Sequence, residues 1–369
     1  MKNIKLLKFI LIFAVFVSFQ LFNSRPIIER YLDNKNCNKN TPNGATHRPW
    51  SEAYENWKSE TRPSTFELYQ KEMHKFVVLH YTAETNVNID EIYTIYNDRG
   101  VSAHYTLNNN GTIFHTVNEG ANIAYHAGPS SFAGKTNLNY YSIGIEHLNP
   151  GGRMDGKKIS GFLDPKQFPG DNVWWYPFTK QQFKSSMQLI HFLQKKYKIP
   201  GWYVVTHADI APSRKSDIGP MWDHKKAFDD YGVGYFPNET HQIDFSKFSK
   251  LSDNDYLSFI EALGYKVKLS EKELIDFMGN FEYKTKTEAK AAYEKMVVKA
   301  YQLHFSTANI SGELVDSTKK SILKHIIAVY DHTDKITGKK FDFFRKKFKE
   351  WAKDNSEKSS VFREYFDID

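Results

Sequence analysis

A chain of 369 residues has room for two or three domains. With 40% apolar and 25% charged residues, it is neither a disordered chain, a collagen-like repeat nor a polytopic membrane protein. The net charge of +7 favours anionic surfaces or polymers but is too weak to point to nucleic acid, and none is expected as a partner. The single cysteine, Cys37, excludes an internal disulfide and a cysteine-rich zinc module. Any metal site must draw on histidines and carboxylates.

The chain opens with Lys2, Lys5 and Lys8, then an apolar run over 9–22. At about 1.5 Å per residue the run spans roughly 21 Å, short of the ~30 Å bilayer core. An export signal over 1–25 is therefore expected, placing the protein in the periplasm or cell envelope. No small-x-small triplet follows the run, so an uncleaved anchor, and membrane association through it, is the alternative. Residues 26–71 are polar and irregular and read as a linker and extension.

Residues 75–81 form a β-branched and aromatic run that predicts a strand. Residues 88–98 predict a helix, with Asn88 and Glu91 as a capping pair. Residues 101–107 and 112–117 predict two strands joined by the turn at 108–111. In the predicted strand 141–147, Ile143 and Ile145 share one face, and Gly144 and Glu146 the other. A Gly-, Pro- and Asp-rich insertion covers 149–177. A helix is predicted over 179–197 and a strand over 202–206, ending at His207. The expected fold class is α/β: a mixed β-sheet flanked by helices, plus a small all-α C-terminal domain. The second domain follows from helices predicted over 252–263, 270–281, 287–305 and 316–330. The expected division is 72–240 for the α/β domain, 250–332 for the helical domain and 333–369 for a basic amphipathic tail. In that tail Phe341, Phe344, Phe348 and Trp351 form one stripe, which reads as a helix docked on its own protein.

Functional side chains of α/β folds gather at strand ends. His80 and His207 stand at such ends, Glu146 lies on a strand's polar face, and Asp217 and Lys215 lie in the loop after His207. Two imidazoles and a carboxylate can hold a catalytic zinc with one position left for water. Glu146 can take a proton from that water, and Lys215 can face a developing oxyanion. Fourteen histidines make chance triplets easy, however, and on this ground alone His80 and His207 read better as buried structural residues.

Five blocks go further: Val78-Leu-His80-Tyr-Thr82, Val101-Ser-Ala-His-Tyr105, Ala124-Tyr-His-Ala-Gly128, Ser142-Ile-Gly-Ile-Glu146 and Thr206-His-Ala-Asp-Ile-Ala-Pro-Ser-Arg-Lys-Ser-Asp-Ile-Gly-Pro220. In that order they resemble the zinc-dependent type 2 N-acetylmuramoyl-L-alanine amidases, related to phage-lysozyme-type amidases and peptidoglycan recognition proteins. The resemblance covers about residues 72–225. It implies one zinc held by His80, His207 and Asp217, Glu146 as general base and Lys215 as the oxyanion-stabilising cation. The implied reaction is hydrolysis of the amide joining N-acetylmuramic acid to L-alanine in peptidoglycan or muropeptides. His126 and Tyr105 are candidate substrate contacts, and His104 reads as structural. Ala300-Tyr-Gln-Leu-His-Phe305 and Ser311-Gly-Glu-Leu-Val-Asp-Ser-Thr318 resemble the blocks of a helical peptidoglycan-binding domain. The alternatives are a non-catalytic peptidoglycan receptor and a zinc amidase acting on another amide.

Overall fold

A computed structural model describes residues 27–32, 47–49, 51, 64–85, 87–158, 160–237 and 242–366. The apolar run at 9–22 and Cys37 lie outside the described residues. Among those described, no helix is long and apolar enough to cross a membrane.

The centre is a six-stranded sheet. Its strands are β1 (Ile27–Glu29), β2 (Phe76–Tyr81), β3 (Tyr105–Leu107), β4 (Ile113–His115), β5 (Ser142–His147) and β6 (Val204–Thr206). They lie in the order β1-β4-β3-β5-β2-β6. All neighbours are parallel except the β3–β4 hairpin, so the sheet is mixed. The strand at 27–29 was not foreseen. Three residues give no periodicity, and their partner, β4, is distant in sequence. His47–Pro49 likewise pairs with Asn122–Ala124, so part of the 26–71 extension is built into the fold.

Alternation sets the two faces of the sheet. Val77 and Leu79 of β2 and Ile143 and Ile145 of β5 pack against α2 (Lys180–Tyr197) through Met187, Ile190 and Leu193. The opposite face presents Phe76, Val78 and His80 from β2, with Gly144 and Glu146 from β5. Helix α1 (Ile89–Arg99) starts on the foreseen capping box at Asn88 and Glu91 and ends on Gly100 at φ 61°. That left-handed conformation suits glycine.

The helical region contains α4 (Asp253–Ala262), α5 (Glu271–Phe281), α6 (Lys286–Phe305), α7 (Asp316–Tyr330) and α8 (Asp342–Asp354). Its core is continuous with the sheet's second face: one cluster runs from Phe76 and Val205 to Tyr301, Ile326 and Phe348. Trp202 stacks on Phe341 at 5.1 Å and 10°. Residues 341–354 are not a free tail, because Phe344 and Phe348 are fully buried and α8 packs on α4. Their apolar stripe is consumed inside the protein.

Candidate metal centre

Strand ends and one tight turn build the centre. His80 sits near the end of β2, and its register partner across β2–β5 is Glu146. Paired positions share a face, so the imidazole and the carboxyl project to the same side. β6 runs into α3 (His207–Ile210), whose first residue is His207. Thr206 caps α3, and the Ala208 amide donates to the Asp217 carbonyl at 2.7 Å. This closes the 207–217 loop and returns Asp217 to His207.

Three donor atoms meet there. His80 Nδ1 lies 2.8 Å from His207 Nδ1 and 3.1 Å from Asp217 Oδ2, and His207 Nδ1 lies 3.0 Å from the same oxygen. Donors around one tetrahedral zinc are ~3.3 Å apart. His80, His207 and Asp217 are all buried.

The outer hydrogen bonds decide where the protons are. His207 Nε2 is 3.1 Å from the Ala127 carbonyl, which only accepts, and farther, at 3.4 Å, from Arg214 Nη2, so the nearer partner assigns the hydrogen to Nε2 and a lone pair to Nδ1. Ser142 Oγ donates to the Leu138 carbonyl at 2.5 Å and therefore accepts from His126 Nε2 at 3.1 Å. That leaves His126 Nδ1 to accept from His80 Nε2 at 3.0 Å. His80 Nδ1 is thereby also a lone pair. Two imidazole lone pairs and a carboxylate oxygen then converge with no hydrogen of their own between them. Such a set repels itself unless a cation sits among it, so the residues fit a metal ion. Burial, reinforced by His207, lowers the His80 pKa to about 3 and keeps the ring neutral.

Glu146 Oε2 is shut off from solvent and has no hydrogen-bond partner among the described residues. Burial, then the charge of Asp217, raises its pKa to about 8, against the opposing pull of Lys215. A carboxyl poised near neutrality can accept and return a proton. Glu146, Asp217, His207 and Lys215 line one cavity of about 400 Å³, walled on one side by Ile92, Tyr96 and Arg99 of α1. Lys215 is exposed there.

Of the two candidate substrate contacts, His126 lines the cavity and Tyr105 does not. His126 reaches the cavity wall, but both its ring nitrogens are engaged, by His80 and by Ser142. It orients a donor instead of offering a free contact. Gly144 makes room for it: a Cβ at 144 would stand 2.4 Å from His126 Cγ. Tyr105 is 3% exposed and stacks on His115 at 4.5 Å. Its register partner is Ile145, whereas Thr106 pairs with Glu146, so Tyr105 lies on the α2 face and cannot line the cavity. Trp175 is buried as well. His104 is structural, accepting the Gly144 amide at Nδ1 and donating from Nε2 to the Asn122 carbonyl. Two contributors went unread. Arg214 donates to the Ala127 and Pro129 carbonyls at 2.7 and 3.0 Å, and Tyr81 is bonded to Ser216 at 2.9 Å. Both lie inside the quoted blocks, which were the only sequence signal for them.

Residues 70–220 match the family described as N-acetylmuramoyl-L-alanine amidase, Amidase_2. The chain carries an Amidase_2 domain. Across 263 residues it is 27% identical to the N-acetylmuramoyl-L-alanine amidase AmiD of Escherichia coli K12, covering 69% of this chain and 83% of that protein. Over 127 residues it is 35% identical to the 1,6-anhydro-N-acetylmuramyl-L-alanine amidase AmpD of Haemophilus influenzae, covering 34% of this chain and 56% of that one. The solved complex of E. coli AmiD with anhydro-N-acetylmuramic acid-L-Ala-D-gamma-Glu-L-Lys superposes with a TM-score of 0.53 at 26% identity. It covers 73% of this chain and 93% of AmiD. The amidase domain thus contains the whole donor cluster, and the likeness to AmiD extends into the helical region.

Proposed function

We propose that the chain is a zinc-dependent N-acetylmuramoyl-L-alanine amidase, cleaving the amide between the lactyl group of N-acetylmuramic acid and L-alanine. One observation carries this reading: two imidazole lone pairs and the Asp217 carboxylate converge beside a carboxyl that has a partnerless oxygen, inside an Amidase_2 domain. His80, His207 and Asp217 would hold the zinc, which would supply Lewis acidity and lower the pKa of a nearby water toward neutrality.

The chain's own groups do the rest. Glu146 accepts a proton from the attacking water and returns it to the alanine nitrogen as the amide breaks. Lys215 brings its ammonium to the carbonyl oxygen as negative charge develops there. His126, through Nδ1, and the Ala127 carbonyl hold the two ligand rings in the tautomer that presents Nδ1. Export to the envelope suits this substrate and the cationic, then apolar, start of the chain. The helical region, with its peptidoglycan-binding-like blocks, would keep the enzyme on the polymer. The AmiD complex supports muropeptides, including anhydro forms, as substrates.

Incubating the protein with murein and with purified anhydro-muropeptides, and weighing the products by mass spectrometry, tests the reaction. Stem peptides with a free L-alanine amine and sugars that keep the intact lactyl group are expected. Products cut between sugars or within the peptide, or none at all, would overturn the reading.

A further inference from the structure

The helical region reaches the metal centre from behind, through Asp209. This residue lies two positions after His207 in α3 and is 1% exposed. Its Oδ2 accepts from the Thr206 amide at 2.7 Å, and Thr206 Oγ1 accepts the Asp209 amide at 3.1 Å. These two bonds form the capping box of the turn that His207 begins. The same Oδ2 accepts from His304 Nδ1 at 2.7 Å, and Oδ1 accepts from the Tyr265 hydroxyl at 2.6 Å.

His304 belongs to the last turn of α6, and Tyr265 follows α4, so two of the three donors come from the helical region. A buried carboxylate is stable only with its donors in place. The backbone is pinned at the same spot. Tyr265 makes an antiparallel bridge to Phe132, and the Ala133 amide donates to the Gly264 carbonyl at 2.8 Å. Gly264, at φ 117°, lies so close to the Phe132 ring that a Cβ would come within 2.6 Å of it.

We propose that Tyr265 and His304 are positioning residues of the metal centre: by holding the Asp209 carboxylate they fix the turn that aims His207 at His80 and Asp217. The helical region is then a working part of the centre and not merely an appended binding module. The inference rests on the reading of His80, His207 and Asp217 as zinc ligands.

The test uses the full chain. Zinc dissociation constants are measured by competition with a chromophoric chelator, alongside melting temperature. Tyr265→Phe, which removes one oxygen atom, and His304→Ala should each weaken zinc binding ~10-fold or more, the scale seen for outer partners of metal ligands. His304→Asn keeps an N–H near the Nδ1 position and should recover most of the loss. Lys299→Ala is the control. It sits on α6 and removes the Lys299–Asp171 contact, 3.0 Å long, in the same interface but away from Asp209. Its zinc affinity should stay within about twofold of wild type.

Two results would overturn the proposal: wild-type zinc affinity in Tyr265→Phe and His304→Ala whatever their melting temperatures, or an equal loss in Lys299→Ala. Should His304→Ala fail to fold, Tyr265→Phe decides alone. A wild-type chain that binds no zinc would instead sink the reading of the centre itself, and the proposal with it.

Discussion

Glu146→Gln should lower amidase turnover by ~10²–10⁴ while leaving zinc in place. The side chain shares the ligand face with His80 but is not among the converging donors, so its loss removes proton transfer and not metal binding. Gln copies the shape of the neutral acid that burial favours. The sign of the stability effect follows from the raised pKa. Ionised Glu146 is disfavoured in the folded state, so between its ordinary value of 4.5 and about 8 the metal-free fold loses stability as pH rises. Gln has no charge to bury, so metal-free Glu146→Gln should melt no lower than wild type at pH 8. Activity, zinc content and melting temperature on the same preparations check this. An inactive variant that has also lost its zinc would mean that Glu146 supports the metal and does not act on the proton.

Asp217→Ala should abolish zinc binding and activity together. Removing the carboxylate leaves two neutral imidazoles, too few donors for a catalytic zinc site. Zinc at about 100 times its dissociation constant should stabilise the wild type by about 2.7 kcal/mol, and Asp217→Ala hardly at all. The metal-free variant should fold, because the change also removes the carboxylate oxygen that crowds the two imidazole lone pairs. Calorimetric melts with and without zinc make the comparison. A zinc-dependent rise in melting temperature in Asp217→Ala equal to that of the wild type would show that the ion sits elsewhere.

Much of this site was legible in the sequence because its parts are local. Alternation in 142–147 put Glu146 and Gly144 on one face, and the block at 206–220 held His207, Lys215 and Asp217 together. Periodicity, however, does not say which face of a fully buried strand meets the cavity. Tyr105 was therefore misread, and only its register against Ile145 places it on the α2 side. His126 was read as a substrate contact because the sequence cannot show that His80 and Ser142 occupy both its nitrogens. The bond from His304 to Asp209 joins residues 95 apart, and no local pattern announces it. The apolar stripe of α8 was visible as a stripe, but the surface it covers, on α4, was not.

Zinc-edge anomalous diffraction from crystals of the full chain grown with zinc tests the central claim most directly. The account predicts one strong peak bonded to Nδ1 of His80, Nδ1 of His207 and a carboxylate oxygen of Asp217, with the Glu146 carboxyl alongside. A peak bonded to the Nε2 atoms or to other residues, or no peak between these three side chains in a zinc-replete protein, would contradict it.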